Sequence, residues 1–126
     1  MKHATAYLNS DGNTREAFTF YAECLGTEAS IMPFPDDASR TLHACVSLND
    51  RPVVMASDCK PGDFQRGNDF SVCLECESVE EIESLFAKFA AGGTVQMPLQ
   101  DMFWGARFGH LRDRFGVQWM FNCPLQ

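Results

Sequence analysis

A chain of 126 residues with 45% hydrophobic residues and eleven Phe can bury a substantial core as one domain or two half-domains, which excludes intrinsic disorder. A net charge of −7 with no local cluster of Lys and Arg excludes the basic face that nucleic-acid phosphates demand. No apolar run reaches the ~20 residues of a membrane span, and the start Met1-Lys2-His3-Ala4-Thr5 lacks a secretory stretch, so the expectation is a cytoplasmic protein with six reduced cysteines.

A first strand is expected over about 4–9. Asn13 then offers a cap for a helix running to Leu25, with Glu16 at the capping-box position and Gly26 as the stop. Ala17, Phe18, Tyr21, Cys24 and Leu25 recur at helical spacing and form its apolar face. Strands follow at about 28–34, 41–48 and 53–57. In the middle one, Leu42, Ala44, Val46 and Leu48 alternate with His43, Cys45 and Ser47, so the apolar set should meet the helix and the polar set the opposite, concave face. Asn49-Asp50-Arg51 reads as the hairpin turn. With three turn residues, Cys45 pairs with Met55 and His43 with Ser57, all on the concave face; with two, His43 goes to the helix side.

Residues 59–68, with Pro61, Gly62 and Gly67, read as a linker between a module at 1–58 and a second at 69–126, the whole forming one compact domain. The second module opens with a strand over 69–75, in which Phe70, Val72 and Leu74 alternate with Asp69, Ser71 and Cys73. Ser78 caps the next helix and Glu81 completes its box. Ile82, Leu85, Phe86, Phe89 and Ala90 make its apolar stripe, and Gly92-Gly93 ends it. Strands over 94–99, 105–112 and 117–122 complete the module, the last two joined by Asp113-Arg114-Phe115-Gly116, where Asp113 is expected to fix the turn. Cys73 and Cys76 form a C-x-x-C, but without a second pair or nearby histidines they read as small core or pocket residues.

The halves repeat one another. Met32-Pro33-Phe34-Pro35-Asp36 returns 65 residues later as Met97-Pro98-Leu99-Gln100-Asp101, and Met55 returns as Met120. The fold class is therefore α+β: two βαβββ modules forming a curved mixed sheet that encloses a pocket.

Met97-Pro98-Leu99-Gln100-Asp101-Met102-Phe103-Trp104-Gly105, Phe108-Gly109 and Asp113-Arg114-Phe115-Gly116-Val117-Gln118-Trp119 resemble the PhnB-like branch of the vicinal oxygen chelate, or glyoxalase/bleomycin-resistance, superfamily. Tyr7-Leu8-Asn9, Gly12-Asn13, Glu16-Ala17-Phe18, Phe20-Tyr21, His43-Ala44 and Met55-Ala56-Ser57-Asp58 extend the likeness over essentially the whole chain. The resemblance implies paired βαβββ modules and a homodimer. It also implies metal ligands, where relatives have them, on the first and fourth strands of each module, which fall here at or beside Thr5, Met55, Asp69 and Met120. Only Asp69 is a good ligand for a hard divalent ion, so no metal and no cofactor are expected there. The ubiquinone-pathway methyl transfer ascribed to some relatives would ordinarily use a Gly-rich strand-to-helix turn, which this chain lacks.

The first functional expectation is thus a PhnB-like protein of unassigned reaction that binds a small organic ligand in a metal-free pocket lined by Thr5, Tyr7, His43, Cys45, Met55, Asp69, Trp104 and Met120. His43 is the candidate acid or base, against the alternative of a histidine bonded within the sheet. Trp104 either roofs the pocket or closes a dimer interface. Trp119 reads as core, His3 as exposed, and the face of His110 is left open. Two rival readings stand beside the first: a metal-dependent lyase, isomerase or dioxygenase with Asp69 as a residual ligand, and a dimeric sequestering module similar in logic to the antibiotic-binding relatives. Whether the chain is an enzyme is left open by its residues.

Overall fold

The computed structural model describes residues 1–126, which form two compact units, Met1–Gln65 and Arg66–Gln126. Each is a βαβββ module. The first contains β1 (Ala6–Ser10), α1 (Thr14–Leu25), β2 (Ala29–Phe34), β3 (Asp37–Leu48) and β4 (Arg51–Asp58); the second contains β5 (Val72–Glu75), α2 (Val79–Ala90), β6 (Thr94–Met102), β7 (Ala106–Arg112) and β8 (Gln118–Pro124). The two four-stranded sheets have equivalent orders, β1-β4-β3-β2 and β5-β8-β7-β6. In each, the outer first strand runs parallel to the fourth and the remaining pairs are antiparallel.

In the first unit α1 lays Ala17, Phe18 and Tyr21 against the sheet face that carries Ala44, Val46, Val54 and Ala56, all buried. Helix bulk thus meets small and β-branched strand residues, which suits close approach. The other ends of the β3 alternation do not follow: Leu42 and Leu48 are exposed, Leu42 as the extra residue where the β2–β3 ladder shifts between Met32–His43 and Pro33–Thr41, and Leu48 beside the hairpin turn. In the second unit both surfaces are aromatic. Phe89 meets Trp119 at 4.8 Å and Phe121 at 5.4 Å between ring centroids, and Phe86 meets Phe121 at 5.2 Å. Gly109 makes room for this bulk, since a Cβ there would come within 2.7 Å of Phe86 and 2.8 Å of Leu99.

The turn between β3 and β4 contains two residues rather than three. Asn49 (φ 52°) and Asp50 (φ 63°) both occupy the left-handed region, as a type I′ hairpin requires, and Leu48 pairs with Arg51. The pairing nevertheless places Cys45 opposite Met55, because the ladder shifts between Val46–Val54 and Ser47–Pro52, leaving Val53 as an extra residue in β4. That bulge restores the parity that a two-residue turn alone would have reversed.

The helix starts also differ from one another. Ser78 caps α2, its hydroxyl accepting from the Glu81 amide at 3.1 Å, while Glu81 Oε1 accepts from the Glu77 amide at 2.8 Å. Asn13 makes no such bond. Its place is taken by Asp58, at the end of β4, whose buried carboxylate accepts from the Thr14 amide at 3.0 Å and the Thr41 amide at 2.8 Å. A carboxylate at the positive end of a helix is favourable twice over, as acceptor and as charge. Asp58 is therefore a brace tying α1 and β3 to β4, beyond the local turn role its sequence position suggests. Asp113 has the turn role and more: Oδ1 accepts from the amides of Phe115 (2.8 Å) and Val117 (3.0 Å), and Oδ2 from the buried Trp119 indole at 2.8 Å.

Asp58→Ala should strand two buried amides and lower stability by about 3 kcal/mol, whereas Asn13→Ala should cost well under 1 kcal/mol. Urea denaturation midpoints of the two variants check this, and equal costs would contradict the assigned cap.

Candidate functional site

The helix-free faces of the sheets carry the polar and titratable side chains. On the first sheet the pairings Tyr7–Met55 and Met55–Cys45 set three of the expected residues in one row across β1, β4 and β3. His43 lies two residues before Cys45 on the same face. Its Nδ1 is 3.2 Å from the Tyr7 hydroxyl, and the two rings are 5.8 Å apart. The Tyr7 side chain thus reaches diagonally over β4. Ser57 and Asn9 pair in the adjacent row. His43, Cys45 and Met55 are half-buried and Tyr7 exposed, so the face is accessible while its polar groups are partly oriented. Thr5 precedes β1 and is half-buried.

The hydroxyl–imidazole contact has two protonation patterns. If Tyr7 donates to Nδ1, His43 presents Nε2–H as a donor. If Nδ1–H donates to the phenol oxygen, Nε2 is left as an acceptor able to take a proton. Either way the neighbour fixes the ring's rotation and leaves Nε2 for a ligand.

On the second sheet the equivalent row reads Cys73, Met120, His110 and Met97. The correspondence is set by register: Tyr7 pairs with Met55 as Cys73 pairs with Met120. His110 therefore lies on the helix-free face, with Nε2 3.4 Å from the Ser71 hydroxyl. Two sequence expectations change here. β5 begins at Val72, so Asp69 and Phe70 lie outside the sheet and are exposed; Asp69 does not stand opposite Met120, and Phe70 does not face α2. Trp104 lies in the turn between β6 and β7, whose Gly105 (φ 86°) takes the left-handed conformation, and stacks edge-on with Phe103 (5.1 Å) and Phe108 (5.8 Å). Trp119, expected in the core, is fully buried, and His3 is exposed.

Of the eight expected site residues, Tyr7, His43, Cys45 and Met55 are brought together on one face. Met120 holds the equivalent place on the other sheet. The alternation of Asp69, Ser71 and Cys73 marks the face that adjoins Met120, and Glu75 continues it. Glu75 sits on β5, its Oε2 accepting from Asn122 Nδ2 at 2.9 Å. Phe108 was hidden, because its place in the row depends on pairing across β7 and β8.

The C-x-x-C is split between environments. Cys73 is exposed on the helix-free face, and desolvation followed by the Glu75 charge raises its thiol pKa. Cys76 is buried, and burial first, then Glu81 and other neighbours, pushes it up to about 12. Neither is an activated nucleophile.

With this geometry established, comparison with known proteins is direct. The family model for the Glyoxalase/Bleomycin resistance protein/Dioxygenase superfamily matches residues 5–121. This chain belongs to that superfamily. Protein YjdN of Escherichia coli K12 is 32% identical, the match covering 95% of this chain and 94% of that protein. Among solved structures, protein PA1353 from Pseudomonas aeruginosa is 38% identical with a TM-score of 0.90 and complete coverage of both chains. The PhnB protein from Bacillus cereus is 28% identical with a TM-score of 0.80, over 97% of this chain and 99% of that one. The chain sits on the PhnB-like branch of the superfamily.

The residues do not fit the divalent ion that metal-bearing members of the superfamily hold. Register puts Tyr7 and Met55 at the paired first- and fourth-strand positions of one sheet, and Cys73 and Met120 at those of the other. A phenol, a raised-pKa thiol and two thioethers are poor donors for hard ions, which take carboxylate, carbonyl or imidazole.

Because thiolate is the reactive form, a raised pKa slows alkylation at pH 8. Cys76, near 12, should be about one part in ten thousand thiolate there. Glu75→Gln removes one of the two causes raising Cys73, so iodoacetamide should label Cys73 severalfold faster in that variant while Cys76 stays unlabelled. Peptide mass spectrometry over time reads both, and an unchanged Cys73 rate contradicts the electrostatic assignment.

Proposed function

We propose that this superfamily member binds a small organic ligand on the helix-free face of its first sheet without a divalent ion to hold it, as a cytoplasmic homodimer. The observation that carries the reading is the Tyr7–His43 contact at 3.2 Å above the Met55–Cys45 pair. It supplies a rotationally fixed imidazole nitrogen next to soft, adaptable apolar surface, the combination of one directional polar group and a forgiving floor that small-ligand sites use. His43 is the contact group for a ligand hydroxyl, amide or acid, with Tyr7 setting its tautomer. A sequestering role without turnover follows from the same contacts.

The Tyr7–His43 pair also favours a second reading, metal-independent acid–base chemistry with His43 taking or giving the proton at Nε2. A divalent-metal lyase, isomerase or dioxygenase draws support only from the superfamily name.

A thermal-shift screen of organic fragments should reveal a stabilising ligand, since binding to the folded state alone raises its stability. Addition of EDTA, Zn²⁺ or Ni²⁺ should leave that shift unchanged. His43→Ala should weaken binding about tenfold, equivalent to about 1.4 kcal/mol, and Tyr7→Phe by less. Full affinity in His43→Ala removes His43 from the site, and a shift that requires metal defeats the metal-free reading. Sedimentation at micromolar concentration tests the dimer; a monomer there contradicts it.

A further inference from the structure

We infer that the helix-free face of the second sheet selects organic cations, specifically an amine or quaternary ammonium carried on a planar or apolar body. This rests on the face-binding reading above and adds a second place and a charge class. Asn122 pairs with Glu75 on one side and with Phe108 on the other, so one row of the sheet reads Glu75, Asn122, Phe108. With neighbouring strands about 4.8 Å apart, the two ends of the row are separated by about 10 Å, the length of a small aryl-alkyl amine.

The acidic end is oriented and has no cation of its own. Asn122 Nδ2 donates to Glu75 Oε2 at 2.9 Å, and Cys73 Sγ lies 4.0 Å from Oε1; no Lys or Arg pairs with this carboxylate. The only other carboxylate in the strands of this sheet, Asp101, is held by Arg107 at 2.8 Å, and a second guanidinium nitrogen reaches Glu83 on α2 at 2.9 Å, which turns that group toward the helix. Arg112, a cation on the same face, stands four residues along β7 from Phe108, turned to the Gly116 carbonyl and, at 3.1 Å, to Gln118 Oε1, away from the Glu75 row. Glu75 therefore sets the charge available to a ligand.

The aromatic end complements it. Phe108 and Trp104 meet edge to face at 5.8 Å and an interplanar angle of 72°, with Phe103 continuing the stack, and Phe103 and Trp104 are exposed. Such rings attract cations through their faces and take planar bodies by stacking. An anionic ligand laid along this row meets repulsion from Glu75 with no cation in the row to offset it. In the first sheet, the positions of Glu75 and Asn122 are taken by Asn9 and Ser57, so this charge selection belongs to the second sheet.

The test uses the full chain labelled at its methionine methyl groups, with Met120 reporting on this face and Met55 on the Tyr7–His43 face. The probes are 2-phenylethylamine, 2-phenylethanol, 3-phenylpropanoate and n-butylamine, titrated by NMR. 2-Phenylethylamine should shift Met120 at least tenfold more tightly than 2-phenylethanol, with 3-phenylpropanoate and n-butylamine weaker still. Glu75→Gln should level the amine and the alcohol, and Phe108→Ala should weaken both. Equal binding of amine and alcohol to the unaltered chain, a preference that survives Glu75→Gln, or n-butylamine matching 2-phenylethylamine overturns the inference. Equal binding that still shifts the methionines leaves the broader face-binding reading intact, whereas silence of both methionines to every probe removes both.

Discussion

The parity of strand pairing in the first sheet decides which of its side chains stand clear of the helix. Asn49 and Asp50 form a two-residue turn, and from Leu48–Arg51 an unbroken ladder would set Ala44 opposite Met55 and His43 opposite Ala56. His43 and Ala56 would then share one face and Ala44 and Met55 the other, so α1 could not cover Ala56 without also burying the imidazole. Val53 absorbs one residue, Cys45 meets Met55, and His43, Cys45 and Ser47 turn away from the helix. The cost is one disrupted rung near an exposed hairpin, where water can satisfy the freed groups. The gain is a buried apolar face of Leu8, Ala44, Val46, Val54 and Ala56.

The two modules solve the same packing problem with different means. In the first, small strand residues accept Phe18 and Tyr21 from α1, and a carboxylate from the sheet, Asp58, closes the helix start. The second closes its helix locally through Ser78, freeing the sheet from that duty, and spends its buried carboxylate, Asp113, on a turn and the Trp119 indole. These buried acids are fully provided with donors, as a charge removed from water must be. Duplication therefore preserved topology and register while the polar braces moved. It is the register, more than residue identity, that makes Tyr7 comparable with Cys73 and Met55 with Met120.

Much of this was legible in the chain itself. Helical spacing located both helices to within a residue or two, and the Met32 and Met97 repeats announced the two βαβββ units. Period-2 alternation separated Ala44 and Val46 from His43 and Cys45 correctly; the expectation that a two-residue turn would send His43 to the helix side failed because the extra residue Val53 restores the parity. What the sequence could not convey was long-range. Asp58 acting as cap for a helix 44 residues earlier leaves no local signature, and Asn13 looked the better candidate because capping rules are written for neighbours. Asp69 was drawn into the fifth strand by alternation that continues past the point where pairing with β8 stops at Val72–Trp119. Glu75 and Phe108 escaped notice because a row across a sheet is assembled from three separate strands.

The chemistry of the faces follows from what occupies the paired first- and fourth-strand positions. Hard divalent ions are held by charge and by oxygen or imidazole donors, and those ligands would leave a costly unpaired group if the ion were lost. Tyr7, Met55, Cys73 and Met120 carry no such penalty: thioethers and a protonated thiol are comfortable beside apolar matter, and the phenol has His43 for a partner. A face built this way is stable with nothing bound and presents few directional groups. The imidazoles His43 and His110 and the Glu75 carboxylate are among the exceptions, oriented by Tyr7, Ser71 and Asn122 respectively. On each face, directional selectivity therefore comes from these groups, because the thioether floor beside them discriminates by shape alone.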